Sequence, residues 1–402
     1  MVKECTKCLN VEMYDTLFRK PIKITANGLC NQCKQWDAVE QEFHPYLETS
    51  RRDIGKLFEK VKGEQHQYDA LLCLSGGKDS SAALILAKEK YNLNILAFTT
   101  DKANFYDGVK DNIDHLVDSL GVDHIYMKSS KTLLDKVYRF GLTTLAQGGG
   151  GICCTMCSSF VHIPLLSRFL INHDIPLMIT GTDIADIQNG YLLELPRETP
   201  LPNPFLATLP RIKTHSHLYD TTTNHFLSIL DRFSPKDQLE RNKEELLSLI
   251  RELRKKYALN DKEIERYRQL EIPEVALTAI EIQNKQELMR LLAKYKWQAP
   301  QDMYTGEVIG TDCKIGGIIN AIFSDLQKRR TWSYRIRGGM VTKADAIAEI
   351  AKEKANVARL ATTLKELGFK RFENRFINGW ENYQFRDYWN LDVIKGINEN
   401  LV

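Results

Sequence analysis

Apolar positions from Tyr68 onward come in short runs that alternate with longer amphipathic stretches. "DALLCL", "LNILAFTT" and the shorter "DHIYMK" have the length and composition of strands, and "IPLMITG" (Ile175–Gly181) is a fourth. Between them the period changes to that of a helix, over Ser80–Lys90, Gly108–Leu120, Lys131–Leu145 and the stretch "SSFVHIPLLSRFLIN". Strands alternating with helices predict an α/β chain with a parallel, Rossmann-like sheet, helices on both faces, and ligands at the strands' carboxyl ends.

The alternation fades after about Gly190. "LLELPRETPLPNPFLATLP" holds five prolines in nineteen residues and reads as an irregular connection. Charged helical patterns follow ("KEELLSLIRELRKKYAL", "KQELMRLLAKYKW", "KADAIAEIAKEKANVARLATTLKELG"). The expected organisation is a cysteine-rich module at 1–40, a connecting helix at 41–66, the sheet domain at 67–215 and a mostly helical region at 216–402. Of the 402 residues, 43% are hydrophobic and 27% charged, which suits a globular protein with a substantial core. A net charge of +3 is too small to argue for nucleic acid or an anionic membrane. The apolar runs around Leu84 and Leu165 fall short of the roughly 20 residues a span needs, and "MVKECTKC" has no apolar leader. The expectation is a cytoplasmic protein without a membrane segment.

Nine cysteines add chemistry, seven of them clustered. Cys5/Cys8 and Cys30/Cys33 form C-x-x-C…C-x-x-C with 21 residues between the pairs, the knuckle pattern of a tetrahedral structural zinc site. A module this small lacks a sufficient core, and a metal replaces one. In "GGGGICCTMCSSF", Cys153, Cys154 and Cys157 follow four glycines at a helix start, where thiolates are favoured. Three readings stand: a metal or iron-sulfur ligand set that Cys313 could complete, a persulfide or nucleophile pair (Cys154, Cys157), or buried small hydrophobes.

"LSGGKDSSAALIL" places Ser75-Gly76-Gly77-Lys78-Asp79-Ser80 between a buried strand and a helix. The glycines admit a phosphate to the backbone, and the N–H groups of the helix start point at it. Lys78 adds a charge, while Ser75, Ser80 and Ser81 add hydroxyls. The spacing excludes G-x-x-x-x-G-K-[ST] and G-x-G-x-x-G. S-G-G-x-D-S after a strand resembles the PP-loop of the N-type ATP pyrophosphatases (adenine nucleotide alpha hydrolase-like fold), which cleave ATP between the α- and β-phosphates. That resemblance implies that Ser75 to Ser80 hold pyrophosphate, with Lys78 and Asp79 catalytic. It places Thr99, Thr100 and Asp101 near the adenosine, and Gly181, Thr182 and Asp183 opposite the phosphates.

Taken in order, "CTKC…GLCNQC", "LSGGKDSSAALILAKEKYNLN", "DNIDHLVDSLGVDHIYMK", "ICCTMC…IPLMITG", "LLAKYKW" and "RIRGGMVTKADAIAEI" resemble the N-acetyl sugar amidotransferase family of bacterial surface-polysaccharide biosynthesis. The resemblance implies adenylation of an acetamido oxygen with ATP and Mg²⁺, then displacement of AMP by ammonia from a separate glutaminase subunit, with zinc on Cys5, Cys8, Cys30 and Cys33. Cys153-Cys154, Cys313 and the proline-rich span depart from that family's pattern. The cysteines are compatible with sulfur-inserting relatives on the same fold, some of which hold an iron-sulfur cluster and act on tRNA. The stretches "LQKRRTWSYRIRGG" and "FKRFENRF" interleave basic and aromatic residues, which suits either RNA or a solvated helix face.

Overall fold

The computed structural model describes residues 3–15, 20–63, 66–145, 149–193, 203–208, 219–300, 304–305, 313–371 and 389–401. A short antiparallel hairpin, β1 (Met13–Asp15) with β2 (Lys20–Ile22), belongs to the cysteine module. The first long helix, Asn31–Val61, begins directly at the second knuckle, ahead of the connecting helix expected at 41–66. Cys30 caps it, its sulfur accepting from Cys33 N–H.

The central sheet has the order β5-β4-β3-β6-β8-β7. Its strands are β3 (Ala70–Cys73), β4 (Ile95–Asp101), β5 (Asp123–Lys128), β6 (Met178–Thr180), β7 (Leu206–Thr208) and β8 (Pro273–Ala276). All neighbours run parallel except the edge pair β7/β8. The four strands expected from the apolar runs are all present. Strand β8 lies within the stretch whose pattern predicts helix: "PEVA" is too short, and too tightly enclosed by helical patterns, to show a period of two. Chain order moves from β3 outward through β4 to β5, then returns across β3 to β6. The switch point therefore falls between β3 and β6, where an open parallel sheet binds its ligand.

Interior strands β3 and β4 are almost wholly buried, consistent with cover on both faces. The run Gly151–His173 is 23 residues long and, by length and composition, apolar enough to cross a membrane. Counting unbroken apolar residues does not find it, because Thr155, the serines, His162 and Arg168 interrupt the run without making it polar on average. Most of it packs inside the fold, 61% of its most apolar window being buried. Phe160, at its centre, lies against Tyr219 and Phe226. The proline-rich span (in part) and most of "FKRFENRF" lie outside the described residues.

Candidate active site

The phosphate loop leaves β3 at Leu74 and enters the helix Lys78–Ile85, for which Gly77 is the N-cap. Gly76 has φ +76°, and a Cβ there would stand 2.8 Å from Val109, so only glycine fits. Ser80 organises the turn. Its hydroxyl accepts from Ser75 N–H at 3.1 Å, pairs with Ser75 Oγ at 3.1 Å and donates to Gly77 O at 3.2 Å. The Trp297 indole donates to Gly76 O at 3.0 Å, and Thr278 Oγ1 donates to Asp79 O at 2.8 Å. Ser81 Oγ is buried without a partner among the described residues.

Gly181, after β6, comes against the loop's helix: a Cβ there would be 2.4 Å from Ser80 N. Thr182 hydrogen-bonds Thr180 Oγ1 at 3.2 Å, and its carbonyl accepts from Ala279 N–H at 3.0 Å. Asp183 caps the next helix, Ile184–Leu193, with Oδ1 accepting from Asp186 N–H at 2.8 Å. Its Oδ2 faces Arg335 Nη1 at 3.5 Å.

Lys78, Asp79, Asp183, Asp186 and Arg335 thus form one buried charge cluster behind the loop. Lys78 pairs directly with Asp79. Burial raises the Asp79 carboxyl above its ordinary range; Lys78 opposes this and Asp183 adds to it. Burial, with Asp183 beside it, pushes Asp186 up to about 7. Arg335 is buried, and the surrounding carboxylates hold it protonated more than offsetting the cost of burial. Asp79 Oδ1 and Asp183 Oδ2 make no hydrogen bond among the described residues. Carboxylate oxygens of this kind are hard donors of the type a divalent cation takes, although Asp183 Oδ2 already faces the Arg335 guanidinium. Sequence reasoning missed Arg335, Asp186, Trp297 and Thr278. Only the Arg-Ile-Arg-Gly-Gly segment carries a hint, inside a basic and aromatic stretch that suits either RNA or a solvated helix face.

The expected adenosine residues divide. Thr99 is buried, its hydroxyl donating to Leu74 O at 2.6 Å and pairing with His124 Nε2 at 2.9 Å, so it ties β4 to the base of the loop. Thr100 Oγ1 pairs with His162 Nδ1 at 2.9 Å; burial, and Lys102 beside it, push that histidine down to about 3. Asp101 Oδ1 accepts from Ala103 N–H at 2.6 Å.

Cys5, Cys8, Cys30 and Cys33 are buried with all four sulfurs within 4.8 Å of one another. Cys5–Cys33 is 3.9 Å and Cys8–Cys30 3.8 Å. Four thiolates around a tetrahedral ion at about 2.3 Å lie about 3.8 Å apart, so the set fits. N–H groups of Asn10, Cys30 and Cys33 donate to Cys8, Cys5 and Cys30 sulfurs at 3.4, 3.2 and 3.3 Å, the outer shell of a thiolate site.

Cys153, Cys154, Cys157 and Cys313 form no such group among the described residues. The helix Gly149–Cys157 begins before the cysteines, not at them. Cys153 and Cys157, one turn apart, face the interior, and Cys154 on the next position is exposed. Cys313 does come within electrostatic reach of Cys157, which sequence alone could not show. Burial, with Cys313 beside it, pushes the Cys157 thiol up to about 12, opposite to the thiolate expected at a helix start.

A largely parallel sheet with S-G-G-K-D-S at its switch point defines the class: an α/β fold that carries a PP-loop-like sequence. No family model matches the chain. A 98-residue segment is 29% identical to an uncharacterized protein of Methanocaldococcus jannaschii, covering 24% of this chain and 32% of that one. Over 112 residues it is 27% identical to tRNA-specific 2-thiouridylase MnmA 1 of Bacteroides fragilis, covering 28% and 31%. The matches therefore span about a third of the length of these relatives. Among solved structures it is similar to the NH3-dependent NAD synthetase from Campylobacter jejuni (19% identity, TM-score 0.26, 56% of this chain and 96% of that one). NMN synthetase from Francisella tularensis is similar at 15% identity and TM-score 0.26, covering 57% and 92%.

Proposed function

We propose that this chain is an ATP-dependent, AMP-forming enzyme that adenylates an amide oxygen of a small molecule and replaces it with nitrogen. The observation that carries this reading is the Ser75–Ser80 loop at the switch point, with buried Lys78 at the helix start and the carboxylates and Arg335 behind it. The loop's N–H groups and Lys78 hold the β- and γ-phosphates. The substrate oxygen attacks the α-phosphorus, the bond to the bridging oxygen breaks, and pyrophosphate leaves. Nitrogen then adds to the activated carbon, and AMP departs with the original oxygen. An amide oxygen is a poor leaving group, and attached AMP makes it a good one. Asp79 and Asp183 would hold Mg²⁺, which screens the triphosphate charge when bound. Cys5, Cys8, Cys30 and Cys33 would hold a structural zinc.

The ordered motifs support an N-acetyl sugar, free or nucleotide-linked, as acceptor in surface-polysaccharide synthesis. Ammonia would come from a separate glutaminase in the cytoplasm. The test supplies anaerobically purified protein with ATP, Mg²⁺ and ammonium chloride, and screens acetamido sugars for pyrophosphate and AMP release. Stimulation by one sugar class, in a colourless protein with one zinc, supports the reading. No stimulation by any sugar removes it.

The 2-thiouridylase match and the exposed Cys154 favour one second reading, sulfur insertion into tRNA or a small heterocycle by a persulfide or an iron-sulfur cluster. A brown protein containing inorganic sulfide, with AMP release driven by unmodified tRNA, would select it.

A further inference from the structure

The helix Asp325–Arg337 lies between the cysteine module and the phosphate site and is fastened to both. On the module side, Arg337 Nη1 is 3.9 Å from Cys8 Sγ. Leu9 N–H donates to Ser333 Oγ at 3.1 Å, Arg329 pairs with Glu4 at 2.6 Å, and Leu326 and Ile336 pack on the module's core. On the other side, Arg335 meets Asp183, and Gln188 Nε2 donates to Arg337 O at 3.1 Å. Gly338, just past the helix, lies so close to Ala185 that a Cβ would be 2.9 Å from its Cα. Residues two apart on a helix point to opposite sides, so Arg335 and Arg337 reach opposite sites.

Both arginines are buried, and each has a reason to be. Four thiolates around a divalent ion carry two excess negative charges, which Arg337 partly neutralises. Without bound metal nothing holds the four sulfurs around one point, and the helix loses the fixed neighbour that Arg337 faces. Arg335, for its part, faces carboxylates that would otherwise repel one another.

We propose that Arg335 is a positioning residue for the phosphate site, and that metal binding at Cys5, Cys8, Cys30 and Cys33 sets its place through this helix. Metal occupancy and nucleotide binding are then linked, and by reciprocity each strengthens the other by the same factor. The inference rests on the phosphate-site reading above.

The experiment uses the full zinc-loaded chain and no turnover. Zinc release to a colorimetric chelator is timed with and without saturating Mg²⁺ and α,β-methylene-ATP, and calorimetry on the zinc-loaded protein shows that the analogue binds. Release should slow about tenfold with nucleotide, within the usual range of such couplings. Arg335→Lys keeps the charge but loses the planar fork; with nucleotide bound at saturation, it should release zinc at its nucleotide-free rate. Equal wild-type release rates would overturn the link, and that comparison needs no variant to fold. Slowing that survives in Arg335→Lys would overturn the part given to Arg335. No binding to zinc-loaded wild type would instead overturn the phosphate-site reading and this inference with it.

Discussion

Arg335 Nη1 lies 3.5 Å from Asp183 Oδ2, with both side chains buried, and the two come from helices about 150 residues apart in the chain. Removing one partner of a buried ion pair costs about 3–5 kcal/mol, because the other charge is left uncompensated. Arg335→Met should therefore lower unfolding stability by about that amount in urea titrations. The double variant Arg335→Met/Asp183→Asn should recover part of the loss, and strict additivity of the two changes would argue against direct coupling.

The same cluster fixes a pH dependence. Asp186 has its carboxyl raised from 3.8 to about 7, chiefly by burial and then by Asp183. The folded state thus binds its proton more tightly than the unfolded chain. Its contribution to stability is complete below about pH 4 and is lost as pH rises through about 7, a change of at most about 4 kcal/mol. His162 works in the opposite sense: lowered from 6.5 to about 3, it loses stability as pH falls below its unfolded value. The informative quantity is therefore the difference between wild type and Asp186→Asn in urea midpoints measured from pH 4 to 8. That difference should narrow or change sign as pH rises, and a constant offset would mean that Asp186 does not titrate in this window.

Lys78 is buried at the helix start and pairs with Asp79. Loss of one charge-stabilising donor at a reacting phosphate commonly costs about 10²–10³ in rate. Lys78→Ala should lower pyrophosphate release by at least that factor, in the presence of whichever acceptor stimulates wild type. Unchanged release would show that the loop does not hold the departing phosphates.

The loop, the four strands and the first cysteine group were legible because each is a local pattern: a strand-glycine-helix motif, an apolar run, a fixed spacing of thiols. Strand β8, Arg335 and Trp297 were not. "PEVA" becomes a strand only because β6 offers it an edge, and Arg335 becomes a site residue only because its helix packs beside Ile184–Leu193. The resemblance places Thr99 near the adenosine. Its burial against Leu74 and His124 depends on neighbours that a single strand does not reveal. The second cysteine group shows the same limit. Adjacency in sequence put Cys153 and Cys154 together, while the helix turns them to different sides.

Gly181 tests how tightly the two sides of the switch point are joined. A Cβ there would stand 2.4 Å from Ser80 N and Cα and 2.6 Å from Asp79 C, all backbone atoms that no side-chain rotation can move. Gly181→Ala should cost about 1–3 kcal/mol of stability by overpacking. It should also weaken α,β-methylene-ATP binding in calorimetry, because the strain falls on the phosphate loop's own helix. Gly190→Ala, a helix position with open space around it, is the control and should leave both measurements close to wild type.

The cysteine module predicts a stoichiometry and a consequence of metal removal. One metal ion per chain should be found by elemental analysis, because the sulfurs of Cys5, Cys8, Cys30 and Cys33 are placed around a single point. Zinc in that site would be colourless, whereas iron would give visible absorption. The module's buried core is small: the four cysteines, Val11 and Ile22, with the partly buried Ile24, Leu29, Leu326, Ile336 and Trp389 packed against it. So few apolar groups cannot hold the hairpin and the two knuckles without the ion, whereas the long helix is also held by Trp36 and Phe43 in the main core. Cys8→Ser should abolish stoichiometric metal retention and open the module to proteolysis, read by cleavage within the first 60 residues. If Cys8→Ser keeps full metal content and wild-type protease resistance, the four thiols do not act together as a metal site.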